Sequence, residues 1–212
     1  MTSESAETAG SAQTAGEGRV SWRRLLAGFA VTGSAAAVLV VLTAQGVLAA
    51  NFSVSGMAFT VTADRLDGNG FEQFATLDTM APDSPNAGDT GGQLVLIVSA
   101  IKSASLTNLC QSINLGGTNL KLTAGDNGTP VTATNLVVDS DLLSGDASFN
   151  DIDIGQDAST LTRVPGVTGN IGVFGQQART VTITHLRQNN YATTAATFKL
   201  AHLKMSFDPD GC

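Results

Sequence analysis

Two hydrophobic rhythms divide the chain. From Leu25 to Ala50 no charged residue occurs, and apolar positions crowd without a helical stripe, most densely at Ala37-Val38-Leu39-Val40-Val41-Leu42. A helix rises about 1.5 Å per residue, so this run is long enough to cross a hydrocarbon core of about 30 Å. After Ala50 the period drops to two, that of a strand with one buried face. Phe52 and Val54 alternate with Ser53 and Ser55; Gly56 interrupts, and Phe59 and Val61 resume. A glycine at such a break predicts a bulge. Residues 93–101 contain the unbroken apolar run Leu94-Val95-Leu96-Ile97-Val98, which reads as a strand buried on both faces.

Further strands are predicted over residues 118–123, over 131–138, around Phe149, Ile152 and Ile154, over 179–186, and over 197–207, where the apolar parity slips near Ala201 as at a bulge. Asp126-Asn127-Gly128 is a turn signal. Residues 79–92 and 157–178, rich in Pro, Gly and polar side chains, read as connections within one domain. The tripeptides Thr107-Asn108-Leu109, Thr118-Asn119-Leu120 and Thr134-Asn135-Leu136 echo one another at spacings of 11 and 16, which is no fixed period. The pattern predicts an all-β domain over residues 51–212, an antiparallel β-sandwich or jelly roll, preceded by one N-terminal hydrophobic helix over 25–50. The echo keeps an irregular β-solenoid as the alternative.

Charge sets the direction of the hydrophobic segment. Arg19, Arg23 and Arg24 precede it, so the positive-inside rule places residues 1–24 in the cytoplasm and everything after Ala50 outside. Residues 1–18 hold no apolar run and are expected to be disordered. Two fates fit the segment. Val47-Leu48-Ala49 before Ala50 suits cleavage of a signal peptide near Ala49, giving a secreted domain; the long n-region and apolar run suit an uncleaved signal anchor in the cell membrane. Arg23-Arg24 before Leu25-Leu26 also raises the twin-arginine export route. A lipoprotein is excluded, because the first cysteine is Cys110.

Composition narrows the function classes. The 11 Lys and Arg against 18 Asp and Glu give a net charge of −7, and so few cations cannot build a nucleic-acid-binding face. Outside the cytoplasm Cys110 and Cys212 are expected to pair as a staple, with an intermolecular bond through Cys212 as the competing reading. The aspartates are lopsided, with six between residues 139 and 157. In a strand, residues two apart share a face, so Asp139 with Asp141, and Asp151 with Asp153, are calcium-ligand candidates. The rival reading is a solvated acidic face that guards a sheet edge. No other cofactor is expected. No Gly-x-Ser-x-Gly pentapeptide occurs, and the two histidines, His185 and His202, read as packed or solvent-facing imidazoles rather than bases. Gln176-Gln177 with Arg179, and Arg187-Gln188-Asn189-Asn190-Tyr191, read as polar loops or as a binding rim.

The strings Thr107-Asn108-Leu109-Cys110-Gln111, Asn135-Leu136-Val137-Val138-Asp139, Asp153-Ile154-Gly155-Gln156-Asp157-Ala158, Phe174-Gly175-Gln176-Gln177-Ala178 and Ala195-Ala196-Thr197-Phe198-Lys199-Leu200 resemble an uncharacterised family of exported proteins from filamentous actinobacteria. The resemblance implies envelope location and a single hydrophobic segment. Some relatives carry an automatic cholesterol-esterase label, but the family brings no catalytic residues to transfer. The sequence therefore points to a non-enzymatic structural or binding protein of the envelope. Its partners are the membrane, through residues 25–50, and a lipid or other envelope component, since aromatic-poor apolar strands can line a lipid groove. The alternative is a hydrolase acting on an envelope lipid or glycan.

Overall fold

The computed structural model describes residues 53–212. The expected hydrophobic helix over 25–50, its cleavage point and Arg23-Arg24 lie outside the described residues. Eight strands follow: β1 (Phe59–Thr79), β2 (Gln93–Thr107), β3 (Leu109–Asn114), β4 (Asn119–Ala124), β5 (Val131–Asp157), β6 (Phe174–Thr194), β7 (Thr197–Lys199) and β8 (Lys204–Asp208). The only helical pieces among these residues are two short 3₁₀ turns, Gly88–Thr90 and Ala158–Thr160. The domain is all-β, and every ladder between strands is antiparallel. A parallel solenoid is thereby excluded. The sheet also closes on itself: β1 pairs with β2, β2 with β5, β5 with β6, and β6 with β1 again. β3, β4 and β8 extend it from the first residues of β1, and β7 adds to the start of β5.

Three of these strands, β1, β5 and β6, are far longer than the sequence pattern predicts, because left-handed residues let the chain stay in the sheet past positions that drop out of the ladder. One line of unpaired positions crosses the ring through Asn135, Lys102, Gly70, Arg179 and Asp151. Asn135, Gly70 and Asp151 there have φ of 46°, 66° and 51°. A second line runs through Gly145, His185, Asp64 and Asn108, where Asn108 donates to the Asp64 carboxylate at 2.6 Å. A residue that drops out of the ladder reverses the alternation. Core residues are accordingly three apart across each line: Ala133 and Leu136, Ile101 and Ala104, Ala178 and Val181, Ile183 and Leu186. The Thr-Asn-Leu echo has its physical reason here. In two of its three copies the Asn is the left-handed residue and the Leu is buried, whereas Asn119 is ordinary strand.

The bulges also let β1 coil. Straight, its 21 residues would span about 70 Å. The chain just ahead of it returns to its last residue instead: Val54 N–H donates to Thr79 O at 3.1 Å, and only four residues separate Val54 from Phe59. Gly56 belongs to that connection rather than to a bulge inside a strand. The last predicted strand divides into β7 and β8 around a turn at Ala201-His202, where His202 takes φ of 53°. The parity slip read as a bulge is therefore a change of direction.

Inside the ring, Val61, Leu66, Phe71, Leu106, Leu109, Val131, Leu136, Val181 and Leu186 make the main core. The Cys110–Cys212 disulfide is intramolecular and spans 102 residues, tying the chain after β8 to β3. Residues 158–173 form a strap across the outer face of β1 and β2. Its Ala158, Leu161, Val164 and Val167 cover Phe74, Val98 and Ala100.

Candidate functional site

The inner sheet face is organised in rows. Ile101, Phe71, Ala178 and Ile152 stand side by side, and the first three are buried. The next row is polar: Gln176 Nε2 donates to Gln73 Oε1 at 2.6 Å, and Gln73 Nε2 donates to Ser99 Oγ at 2.9 Å. Below it Ile97 faces Ala75 and Val95 faces Leu77, all solvent-exposed. Above it the core leaves free space of only about 40 Å³, bordered by Phe71, Ile101, Leu136, Phe198 and the polar Gln111, Gln188 and Asn190. That volume suits a few waters; small-molecule sites run to about 300–1,000 Å³.

The outer face concentrates the unusual carboxyls. Asp78 at the end of β1 and Asp139 on β5 bring their carboxyls together. Burial, reinforced by the Asp78 charge, pushes Asp139 up to about 7. Burial raises Asp78 as well. The pair lies beside the small apolar cluster of Val54, Met80 and Ala192, with Asp139 opposite Ala192 in the ladder. Glu72 is fully buried beneath the strap. Its Oε1 accepts from Val164 N–H at 2.6 Å, while Oε2 has no partner. Burial pushes it up to about 6. Gln177 Oε1 pins the same strap by accepting from Thr162 N–H at 2.9 Å.

A shallow polar cleft runs along the other end of β6. One lobe of about 450 Å³ is bordered by Thr60, Asp141, Leu142, Arg187, Gln188 and Asn189. A second, of about 430 Å³, shares Thr60 and Arg187 and continues to Ser112, Asn114, Asn119 and the residues at 209–212. Arg187 donates to Cys212 O at 3.0 Å, and Cys212 N–H donates to Ser112 Oγ at 2.9 Å, so the disulfide builds one wall. Of the expected binding rim at 187–191, which is strand rather than loop, Arg187, Gln188 and Asn189 border this cleft, while Asn190 is buried against the core cavity.

The four calcium candidates do not converge. Asp139 turns to Asp78, and the register shifts between Asp139, Ser140 and Leu142 part it from Asp141. Asp141 instead accepts from Asn189 Nδ2 at 2.8 Å and Tyr191 OH at 3.3 Å. Asp151 is left-handed and pairs with Arg179, whose cation holds its carboxyl below the usual range. Asp153 accepts from Gln177 Nε2 at 3.3 Å. Among the described residues no three acidic, His or Cys side chains gather as a metal would need. The shared-face argument failed because register shifts lie between Asp139 and Asp141, and because Asp151 itself drops out of the ladder with a left-handed backbone. Beyond Ser140, β5 pairs with β6 alone, so Asp141, Asp146, Asp151, Asp153 and Asp157 do line a sheet edge. Both histidines find aspartates that sequence distance concealed: His185 meets Asp146 at 2.9 Å and His202 meets Asp126 at 2.8 Å, on exposed surfaces. Sequence reading missed Glu72 and Asp78. The one signal was Glu72 as the lone glutamate of the domain, flanked by Phe71 and Phe74.

These features define a class: a disulfide-stapled, ring-closed antiparallel β domain with a filled interior, a polar cleft and no convergent catalytic constellation among the described residues. The chain belongs to a family of unknown function, DUF6230, whose sequence profile matches residues 55–212. Comparison with curated proteins and with solved structures returns no match.

Proposed function

We propose that the protein is a non-enzymatic structural or binding component of the cell envelope, its β domain exposed outside the membrane. The observation that carries this reading is dispersal. Each candidate catalytic group is spent on a separate local partner: His185 on Asp146, His202 on Asp126, Asp141 on Asn189 and Tyr191, and Asp151 on Arg179. General acid–base or nucleophilic chemistry instead needs such groups to face one reacting atom. The small free volume of the core turns lipid contact toward the outer surfaces. The envelope location rests on the uncharged run at 25–50 and on the likeness to exported actinobacterial proteins.

One observation favours the rival hydrolase reading, in line with the cholesterol-esterase label of some relatives. Burial and the neighbouring Asp78 carboxylate raise Asp139 to about 7, in the range of an acid–base dyad. Yet neither residue borders the cleft or the core cavity. The discriminating experiment is hydrolysis of p-nitrophenyl acyl esters and glycosides by the purified full-length protein beside Asp139→Asn, His185→Ala and His202→Ala. We expect any turnover to be the same in all four. Turnover that vanishes in one variant while its fold persists overturns the non-enzymatic reading.

A further inference from the structure

We propose that the lower end of the inner sheet face seats the domain on the surface of the lipid bilayer from which its chain emerges. This rests on the reading of residues 25–50 as a membrane span. Three strands, β1, β2 and β6, contribute to the face. Val95 is 75% exposed, Leu77 53% and Phe174 60%, with Ile97 beside them. The β1 and β2 positions that share the face, Ala75, Leu77, Thr79, Gln93, Val95 and Ile97, include no charge. Asp157 stands opposite Phe174, but its carboxylate turns into the strap and accepts from the Ser159 and Gly172 amides. Nor is the face a spill of the core, because on β2, β1 and β6 the hydrogen-bonded Ser99–Gln73–Gln176 row, which Ile154 continues on β5, divides the two. A contiguous apolar patch that the fold itself does not use marks a contact with something apolar.

The chain indicates what that contact is. Val54 is bonded to Thr79, the last residue of the strand that carries Leu77. Only residues 51–53 separate Val54 from Ala50, where the uncharged run ends. Four residue steps reach at most about 14 Å, and Leu77 is two residues, about 7 Å, from Thr79. With about 5 Å across the Val54–Thr79 bond, Leu77 therefore stays within about 26 Å of the bilayer core, whose headgroup layer is itself about 5–8 Å deep. The domain is acidic elsewhere, so a neutral face suits zwitterionic lipid rather than an anionic surface.

The test places single tryptophans in the full-length chain. Trp22, the only one present, is replaced by Phe, and the protein is reconstituted into phosphatidylcholine vesicles with brominated acyl chains. Val95→Trp should lose most of its fluorescence to bromine. Phe207→Trp, at an equally exposed apolar site on β8, should keep its fluorescence. Val38→Trp reports the span. If Val38→Trp is quenched and Val95→Trp is not, the seating is wrong and the span stands. If Val38→Trp is unquenched, both fall. A Val95→Trp signal that escapes bromine but becomes shielded from acrylamide as protein concentration rises assigns the face to a second copy. Equal quenching at Val95 and Phe207 also overturns the proposal, because it removes the preferred face.

Discussion

Asn135 in β5, His185 in β6 and Asn108 between β2 and β3 do the same work: each takes a left-handed conformation, and the Leu that follows is buried. Asn tolerates that region because its short polar side chain hydrogen-bonds locally, whereas a β-branched side chain clashes with the backbone. Asn135→Val should therefore destabilise the domain by about 1–2 kcal/mol, read as a lower urea midpoint with an unchanged slope. Asn135→Gly should fall within a few tenths of wild type; a Gly variant as weak as the Val variant would show that the side chain, not the backbone angle, matters. This device was half legible. Two Thr-Asn-Leu copies mark bulges, but Thr184-His185-Leu186 shares the geometry under another residue, and Asn119 shares the letters without it. A tripeptide does not specify φ; its ladder partner does.

At the scale of elements the strap over β1 and β2 is held by a buried acid. The folded-state value of Glu72, about 6, lies above its ordinary one, so the folded state binds the proton more tightly than the unfolded chain does. Its contribution to stability therefore rises as pH falls through about 6 and levels off below the ordinary carboxylate range. Glu72→Gln keeps an oxygen for the Val164 amide and removes the buried charge. We expect the variant to be more stable than wild type at pH 8, equal at pH 5, and to slow amide exchange at Val164. Equal stability at both pH values would mean that the carboxylate is solvated. Gly70 limits the strap from below: a Cβ there would lie 2.7 Å from Arg163 O, at a φ of 66°. Gly70→Ala should thus lift the strap and expose the segment 158–173 to limited proteolysis. The sequence marked this segment as a polar connection and gave no sign that its valines cover the sheet, since Val164 and Val167 lie among Pro and Gly.

For the whole molecule, the disulfide and the acid pair set the conditions of stability. Replacing both cysteines with Ser should cost about 2–5 kcal/mol and loosen the wall behind Arg187. Loss of unfolding cooperativity, rather than a simple shift of midpoint, would mean that the staple holds separate parts together. Asp139 adds to the pH slope in the same sense as Glu72, because its folded value of about 7 also lies above the ordinary one. The thermal midpoint should accordingly be higher near pH 5 than near pH 8. Asp139→Asn, which can still donate to Asp78, should flatten that slope. Strand class, antiparallel pairing and the staple were readable from alternation, turn residues and cysteine count. The ring closure and the dispersal of the aspartates were not, since both depend on where each strand skips a rung.

The line of skipped rungs leaves β5 at Asn135, crosses β2, β1 and β6, and returns to β5 at Asp151, sixteen residues further along. The stretch between those two residues is therefore a ruler whose length the rest of the sheet has already measured. Adding one residue to it would swap inside for outside over half a strand, and adding two would move one end of the circuit past its mate. Natural variation in chain length should accumulate at 80–92 and 158–173 and spare the interval from 135 to 151.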